Sequence, residues 1–141
     1  MMIDKFEKNL SGLKDRTVRV GADQQGYNGG SALVEFSDGA RLRTDFWRAV
    51  KDGTACISSF DHNQQYGLPA PIDAVERLRN ELLNKRVLSA LMDRETGDLV
   101  FEFTGIVKLC VFNFTSYEAW EVSFSDGSGE LSNYVFDSVK T

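Results

Sequence analysis

The amino-acid sequence predicts an α+β fold: two tandem, related units, each a helix followed by four strands, joined with pseudo-two-fold symmetry into mostly antiparallel sheet. The first observation is a faint internal repeat, in which residues 3–7 resemble residues 72–76 and residues 33–36 resemble residues 100–103. Such self-similarity, kept in order along a chain, indicates a repeated structural unit. The second observation is that the hydrophobic period falls from about 3.6 to 2 after each predicted helix. The third observation is that short turns join the predicted strands, which favours antiparallel pairing.

The length of the chain, 141 residues, fits one domain in which two repeats share a core. A single repeat of about 65–70 residues would bury only about 60% of its unfolded surface, which gives a marginally stable fold. We therefore predict one compact domain over residues 1–141, with the repeats at about 3–68 and 69–138. Pro69 and Pro71 stiffen the chain and mark the junction between them.

Each repeat is predicted to begin with an amphipathic helix. Residues 3–14 and 73–84 place apolar side chains at helical spacing on one face, namely Phe6, Leu10 and Leu13 in the first and Val75, Leu78 and Leu82 in the second. Each helix also starts with two acids three positions apart, an arrangement typical of a capping box: Asp4 with Glu7, and Asp73 with Glu76.

Strands with a period of two follow each helix. They are predicted at residues 17–22, 31–36, 40–47 and 54–60 in the first repeat, and at 86–93, 99–104, 106–114 and 117–125 in the second, with an extra strand at 131–136. Residues 40–46 alternate, with Leu42, Thr44 and Phe46 on one face, as expected for a strand with one side in water. Residues 106–114 are apolar on both faces, which predicts a central strand covered on both sides.

The charge and the hydropathy of the sequence indicate which partners the protein could bind and where in the cell it is located. The formal net charge is −5, and residues 70–141 carry all of it. An acidic half repels phosphate backbones, so no nucleic acid is expected as a partner, whereas a basic protein would suit it. No apolar run reaches the roughly 20 residues that cross a bilayer, and the N-terminus has acids where a secretory signal has basic residues. We therefore expect no membrane association and a cytoplasmic location.

The sequence carries no recognised catalytic, metal or cofactor motif. The single histidine and the two cysteines, Cys56 and Cys110, lack metal-ligand spacing, and both cysteines lie in apolar strand segments typical of buried residues. The glycine-rich residues 26–30 lack the lysine of a phosphate-binding loop, and no Gly-x-Ser-x-Gly motif supports a nucleophile. The prediction is therefore a protein that is not an enzyme and holds no metal or cofactor.

The junction loop is the first candidate site. Residues 58–69 place the single histidine beside an acid, several amides and a tyrosine, in a loop of the kind that displays binding groups. Three interpretations remain open: a polar connection, a partner-binding loop, and a catalytic site with the histidine as base. The candidate residues are Asp61, His62, Gln64 and Tyr66.

The acidic second repeat holds the other candidates. Trp120 is predicted to anchor the core, while the alternation leaves open whether Trp47 is buried or exposed. Tyrosine and exposed acids are common contacts to basic proteins. The candidate contacts for such a partner are Tyr117, Glu118, Glu121, Asp126 and Glu130.

Three stretches carry a resemblance to known proteins. Residues 57–69, 98–103 and 117–121 read ISSFDHNQQYGLP, DLVFEF and YEAWE. They resemble stretches of small bacterial proteins, some of which are similar to immunity proteins of polymorphic toxin systems. The resemblance implies a cytosolic binding protein that neutralises a toxin, and it transfers no catalytic residue.

Three functions are compatible with these observations. The first is a non-enzymatic, immunity-like protein-binding domain that occludes a basic protein partner. The second is a small-molecule binder or weak enzyme that uses the junction between the repeats near His62. The third is a structural protein that associates with itself, for example as a homodimer through exposed strand edges.

Overall fold

A computed structural model describes residues 2–115 and 117–132, and within them the chain forms two helices and ten strands. The helices are α1 (Met2–Ser11) and α2 (Ala74–Leu82). The strands are β1 (Val18–Ala22), β2 (Ala32–Phe36), β3 (Arg41–Thr44), β4 (Trp47–Lys51), β5 (Thr54–Ser58), β6 (Val87–Met92), β7 (Leu99–Phe103), β8 (Val107–Val111), β9 (Trp120–Ser123) and β10 (Gly129–Leu131). A short 3-10 helix, Ser59–Asp61, follows β5. The predicted α+β class, with two helices and mostly antiparallel sheet, is confirmed.

The strands form two antiparallel five-stranded sheets, and each sheet mixes both halves of the chain. The first sheet has the order β1-β2-β3-β9-β10, and the second has the order β5-β4-β8-β7-β6. Each half therefore gives its first three strands to one sheet and its fourth and fifth strands to the other. The order of elements, one helix and then five strands, is the same in the two halves. A repeat at the level of the sequence stays a prediction.

The count of four strands in the first repeat is wrong. The predicted strand 40–47 covers β3 and only the first residue of β4, which continues to Lys51 and belongs to the other sheet. The chain passes from the first sheet to the second at Asp45 and Phe46. Of the extra strand predicted at 131–136, Leu131 lies in β10, while residues 133–136 lie outside the described residues.

Each fourth strand opens with a buried tryptophan that is fixed in the same way. Trp47 begins β4 and Trp120 begins β9, and they are 1% and 2% exposed. The indole Nε1–H of Trp47 donates to the carbonyl oxygen of Gly30 at 2.7 Å, and that of Trp120 donates to the carbonyl oxygen of Gly97 at 2.8 Å. The prediction that Trp120 anchors the core is confirmed, and Trp47 is buried as well.

The core lies between the two sheets and is closed by the helices. Phe36 of the first sheet and Phe101 of the second approach to 5.8 Å between ring centroids. Helix α1 packs against β6, and its Phe6 ring stacks on Trp120 at 5.6 Å. Helix α2 packs against β1 and β5. The apolar helix faces predicted from the sequence are all buried: Phe6, Leu10, Leu13, Val75, Leu78 and Leu82.

The two helices differ at their N-termini. The Asp73 side chain accepts a hydrogen bond from the Glu76 backbone N–H at 3.1 Å, so Asp73 caps α2 as predicted. The predicted cap at Asp4 is wrong, because α1 already begins at Met2. Asp4 and Glu7 instead bind the guanidinium of Arg94, which lies between β6 and β7. The hydrogen bond from Arg94 lowers the pKa of the Asp4 carboxyl. The contacts of Arg94 with Asp4 and Glu7 fasten α1 to the second half of the chain.

The outer faces of the two sheets have different chemistry. The first sheet presents charged residues at paired positions, including Arg19, Glu35 and Arg41. The second mixes apolar residues, including Leu91 and Cys110, with the charged Arg48, Glu102 and Lys108. Both cysteines are free and half-buried rather than fully buried. Neither helix in the described part of the chain is long and apolar enough to cross a membrane.

Candidate functional site

A cleft of about 600 Å³ opens at one end of the second sheet. Its volume lies within the range of small-molecule sites, about 300–1,000 Å³. We call it the aromatic cleft; it is lined by Tyr27, Asn28, Gly29, Gly30, Phe46, Trp47, Arg48, Ser58, Ser59, Phe60, His62, Asn63, Phe112 and Phe114.

Six of the fourteen residues that line the cleft are Phe, Tyr or Trp, and three of these face solvent. Tyr27, Phe60 and Phe114 are 80%, 78% and 73% exposed. The ring centroids of Phe46 and Phe114 lie 4.9 Å apart, and those of Tyr27 and Phe46 lie 5.7 Å apart. Apolar rings left in water and gathered around one concavity are typical of a binding surface.

The passage of the chain between the sheets brings these rings together. Phe46 lies at the passage, and its carbonyl oxygen accepts a hydrogen bond from the Phe112 backbone N–H at 2.8 Å. Strand β8 ends at Val111, so Phe112 and Phe114 extend beyond it as the cleft wall. The prediction that 106–114 is covered on both sides is therefore wrong, since Cys110 and Phe112 are only half-buried and Phe114 is exposed.

The glycine-rich segment 26–30 forms the opposite wall and is tied down by side chains. Asp45 Oδ1 accepts hydrogen bonds from the Tyr27 backbone N–H at 2.9 Å and from the Ser31 hydroxyl at 2.6 Å. Asn28 Oδ1 accepts from the Gly30 N–H at 2.8 Å. These bonds hold Tyr27 at the rim of the cleft. The glycine-rich segment 26–30, which lacks the lysine of a phosphate-binding loop, therefore shapes the cleft.

His62 is the junction candidate that lines the cleft. Its Nδ1 accepts a hydrogen bond from the backbone N–H of Ala74, the first residue of α2, at 3.2 Å. In the neutral ring the proton then lies on Nε2, for which the described residues provide no acceptor. The imidazole lies against Gly29, where an added Cβ would be 2.8 Å from its Cδ2 atom. The absent side chain of Gly29 thus makes room for the ring.

The other three junction candidates hold the loop and do not line the cleft. Asp61 Oδ2 accepts from the Ser58 N–H at 2.9 Å, and its Oδ1 accepts from the Tyr66 hydroxyl at 3.1 Å. The Gln64 backbone N–H donates to the Asp61 carbonyl oxygen at 3.0 Å. Of the three interpretations of the junction loop, the contacts of Asp61, Gln64 and Tyr66 fit the polar connection.

Two of the acidic candidates, Glu118 and Glu121, line a smaller recess of about 160 Å³ on the first sheet. We call it the acidic recess, because it also contains Asp23 and Asp45 and only one cation, Arg43. The Arg43 guanidinium donates to both carboxylate oxygens of Asp23 at 3.1 Å, which raises the pKa of Arg43. A second basic side chain would meet an excess of carboxylates here.

The remaining candidates lie apart from this recess. Asp126 closes the β9–β10 turn, and hydrogen bonds from Ser128 lower the pKa of its carboxyl. Glu130 is paired opposite Val122, which is buried, so its side chain lies on the inner face of the sheet; burial raises the pKa of Glu130. Tyr117 is 79% exposed in the segment before β9. The predicted acidic contacts thus do not form one surface.

Sequence reasoning did not single out five of the six Phe, Tyr and Trp residues that line the cleft, namely Tyr27, Phe46, Phe60, Phe112 and Phe114. The alternation of the sequence predicts Phe46 on the face of Leu42 and Thr44, and Phe112 in a strand covered on both sides. One feature of the alternation marks the passage between the sheets. The buried positions are even-numbered in β3, at 42 and 44, and odd-numbered in β4, at 47 and 49.

Among residues 2–115 and 117–132, no group of three or more histidine, cysteine or acidic side chains is arranged to hold a metal ion. Comparison of the chain with protein-family models, with curated proteins and with solved structures finds no match.

Proposed function

We propose that this protein is a non-enzymatic binding protein that takes a small molecule with a planar, apolar body into the aromatic cleft. The observation that carries the proposal is the set of three strongly exposed rings, Tyr27, Phe60 and Phe114, around a cleft of about 600 Å³. Aromatic walls offer stacking and edge contacts to a planar ligand, which would cover the rings from water.

The polar groups of the cleft support binding rather than catalysis. The Ser59 hydroxyl accepts from the Trp47 backbone N–H at 3.2 Å, and the Ser58 hydroxyl donates to Asp61 at 3.2 Å. His62 uses Nδ1 to accept from Ala74. Nucleophilic catalysis needs a hydroxyl or thiol hydrogen-bonded to a free base. These groups instead serve the backbone and the junction loop.

The test uses a planar aromatic probe, 2-naphthoate, and its neutral amide, 2-naphthamide. We expect Phe114→Ala to weaken probe binding by about ten- to a hundredfold, because a phenyl ring contributes that factor when a ligand buries it. Isothermal titration calorimetry measures the affinity, and chemical denaturation checks that the stability of the variant is unchanged.

The matched control is Leu91→Ala, which removes an apolar side chain that is 61% exposed on the same sheet outside the cleft. This variant should bind the probes like the wild type. Failure of the wild type to bind either probe, or equal weakening by the two substitutions, would contradict the proposed function.

A second candidate function is occlusion of a basic protein partner, as the sequence resemblance implies. The acidic recess supports it, because its four carboxylates outnumber its one guanidinium, that of Arg43. A lysine or arginine side chain of the partner would be attracted into this recess, and the association would weaken with added salt.

Charge reversal tests the second candidate. We expect Glu121→Lys to weaken binding of a partner isolated by affinity purification by about tenfold at low ionic strength, because it places a cation beside Arg43. Asp126→Lys, in the turn between β9 and β10 and outside the acidic recess, is the control of equal charge change. A captured partner that binds both variants equally would exclude the acidic recess as its contact.

A further inference from the structure

We infer that the ligand of the aromatic cleft is an aromatic carboxylate, held through its negative charge by Arg48. The inference rests on the proposed function, since it names the chemical class of the molecule that the cleft takes. Three features carry it: the position of Arg48, the absence of a counter-ion in the cleft lining, and the hydrogen-bonding state of His62.

Arg48 is placed at the cleft by the alternation of β4. Its neighbours Trp47 and Ala49 are buried, so the Arg48 side chain lies on the outer face of the sheet. Its guanidinium carbon is 5.5 Å from the ring centroid of Phe112. A guanidinium on an aromatic face keeps the N–H groups at its edge available, and their fork matches a carboxylate.

No carboxylate of the described residues forms an ion pair with Arg48. The cleft lining contains no aspartate or glutamate. Arg43 and Arg94 are both bound by carboxylates. In a chain of net charge −5, an arginine that lies over an apolar ring and has no ion-pair partner among the described residues is complementary to an anion.

His62 adds a donor of matching kind. Because its Nδ1 accepts from Ala74, its neutral ring can only donate to a ligand, through Nε2–H. Arg48 also only donates, so the polar group of the ligand must accept hydrogen bonds. The lining has one arginine and no lysine, which balances the single charge of a carboxylate rather than the double charge of a phosphate monoester.

The test compares 2-naphthoate with 2-naphthamide, which share shape but differ in charge, by isothermal titration calorimetry. We expect the wild type to bind the acid at least about tenfold more tightly than the amide, the effect of a charge-assisted hydrogen bond. Arg48→Gln should remove this preference by weakening binding of the acid far more than binding of the amide. The control is Arg41→Gln, because Arg41 is exposed on the outer face of the other sheet. This variant should keep the preference for the acid.

The outcomes separate this inference from the proposed function. Equal binding of acid and amide by the wild type, or a preference that survives Arg48→Gln, overturns the carboxylate inference while the cleft remains a binding site. Failure of both probes to bind the wild type overturns the proposed function, and this inference with it.

Discussion

Replacing Trp120 by alanine is expected to lower the free energy of unfolding by about 3–5 kcal/mol, as truncation of a buried tryptophan does elsewhere. The indole is 2% exposed, stacks on Phe6 of α1 and donates to the Gly97 carbonyl oxygen. Its removal leaves a cavity between helix and sheet, together with a buried carbonyl that has lost its partner. Urea denaturation followed by circular dichroism measures the change.

The control for this effect is Tyr117→Ala, which removes a large aromatic side chain three positions earlier that is 79% exposed. Surface substitutions of this kind change stability by less than about 0.5 kcal/mol. A loss below about 1 kcal/mol for the Trp120 variant would contradict the packing described for the core.

Gly30→Ala is expected to lower stability by about 1–3 kcal/mol and to abolish probe binding in the aromatic cleft. A Cβ at position 30 would lie 3.0 Å from the Ser59 Cα and 3.1 Å from its carbonyl carbon, and closer still to its carbonyl oxygen. The obstacle is backbone, so it cannot turn away as a side chain could. The glycine wall must move off Ser59, which displaces the carbonyl that holds Trp47.

Gly21→Ala is the matched control, because a Cβ there meets nothing within 4 Å. Gly21 lies inside β1. Alanine has less conformational freedom than glycine in the unfolded chain, so the stability of the Gly21→Ala variant should equal or slightly exceed that of the wild type. Unfolding curves and calorimetric titration with 2-naphthoate measure both variants. Normal probe binding by Gly30→Ala would show that the contact with Ser59 does not shape the cleft.

Periodicity predicted the elements whose burial is decided locally. The buried faces of α1 and α2 follow from the spacing of Phe6, Leu10, Val75 and Leu78, since a helix presents residues three and four apart on one side. Asp73 identified the start of α2 because a cap is read from a short segment.

The cleft could not be predicted in the same way, because it depends on contacts between distant segments. No glycine or proline marks the passage between β3 and β4, so the alternation there was read as one strand. Phe46 and Phe112 meet only because β4 and β8 are neighbours in the second sheet. Composition alone identifies His62 as a candidate, whereas Arg48 and Phe114, which line the same cleft, require the topology.

The exchange of strands between the sheets has a consequence for folding during synthesis. The first sheet needs β9 and β10, which are the last strands of the described chain to leave the ribosome. Until β8 emerges, β4 lacks one of its two neighbouring strands, and until β9 emerges, β3 has an unpaired edge. Native pairing between strands so distant in sequence raises contact order, which slows folding and prolongs exposure of unpaired edges to other chains. Neither half of the chain contains all the strands of either sheet, so folding of both sheets depends on the late arrival of the second half.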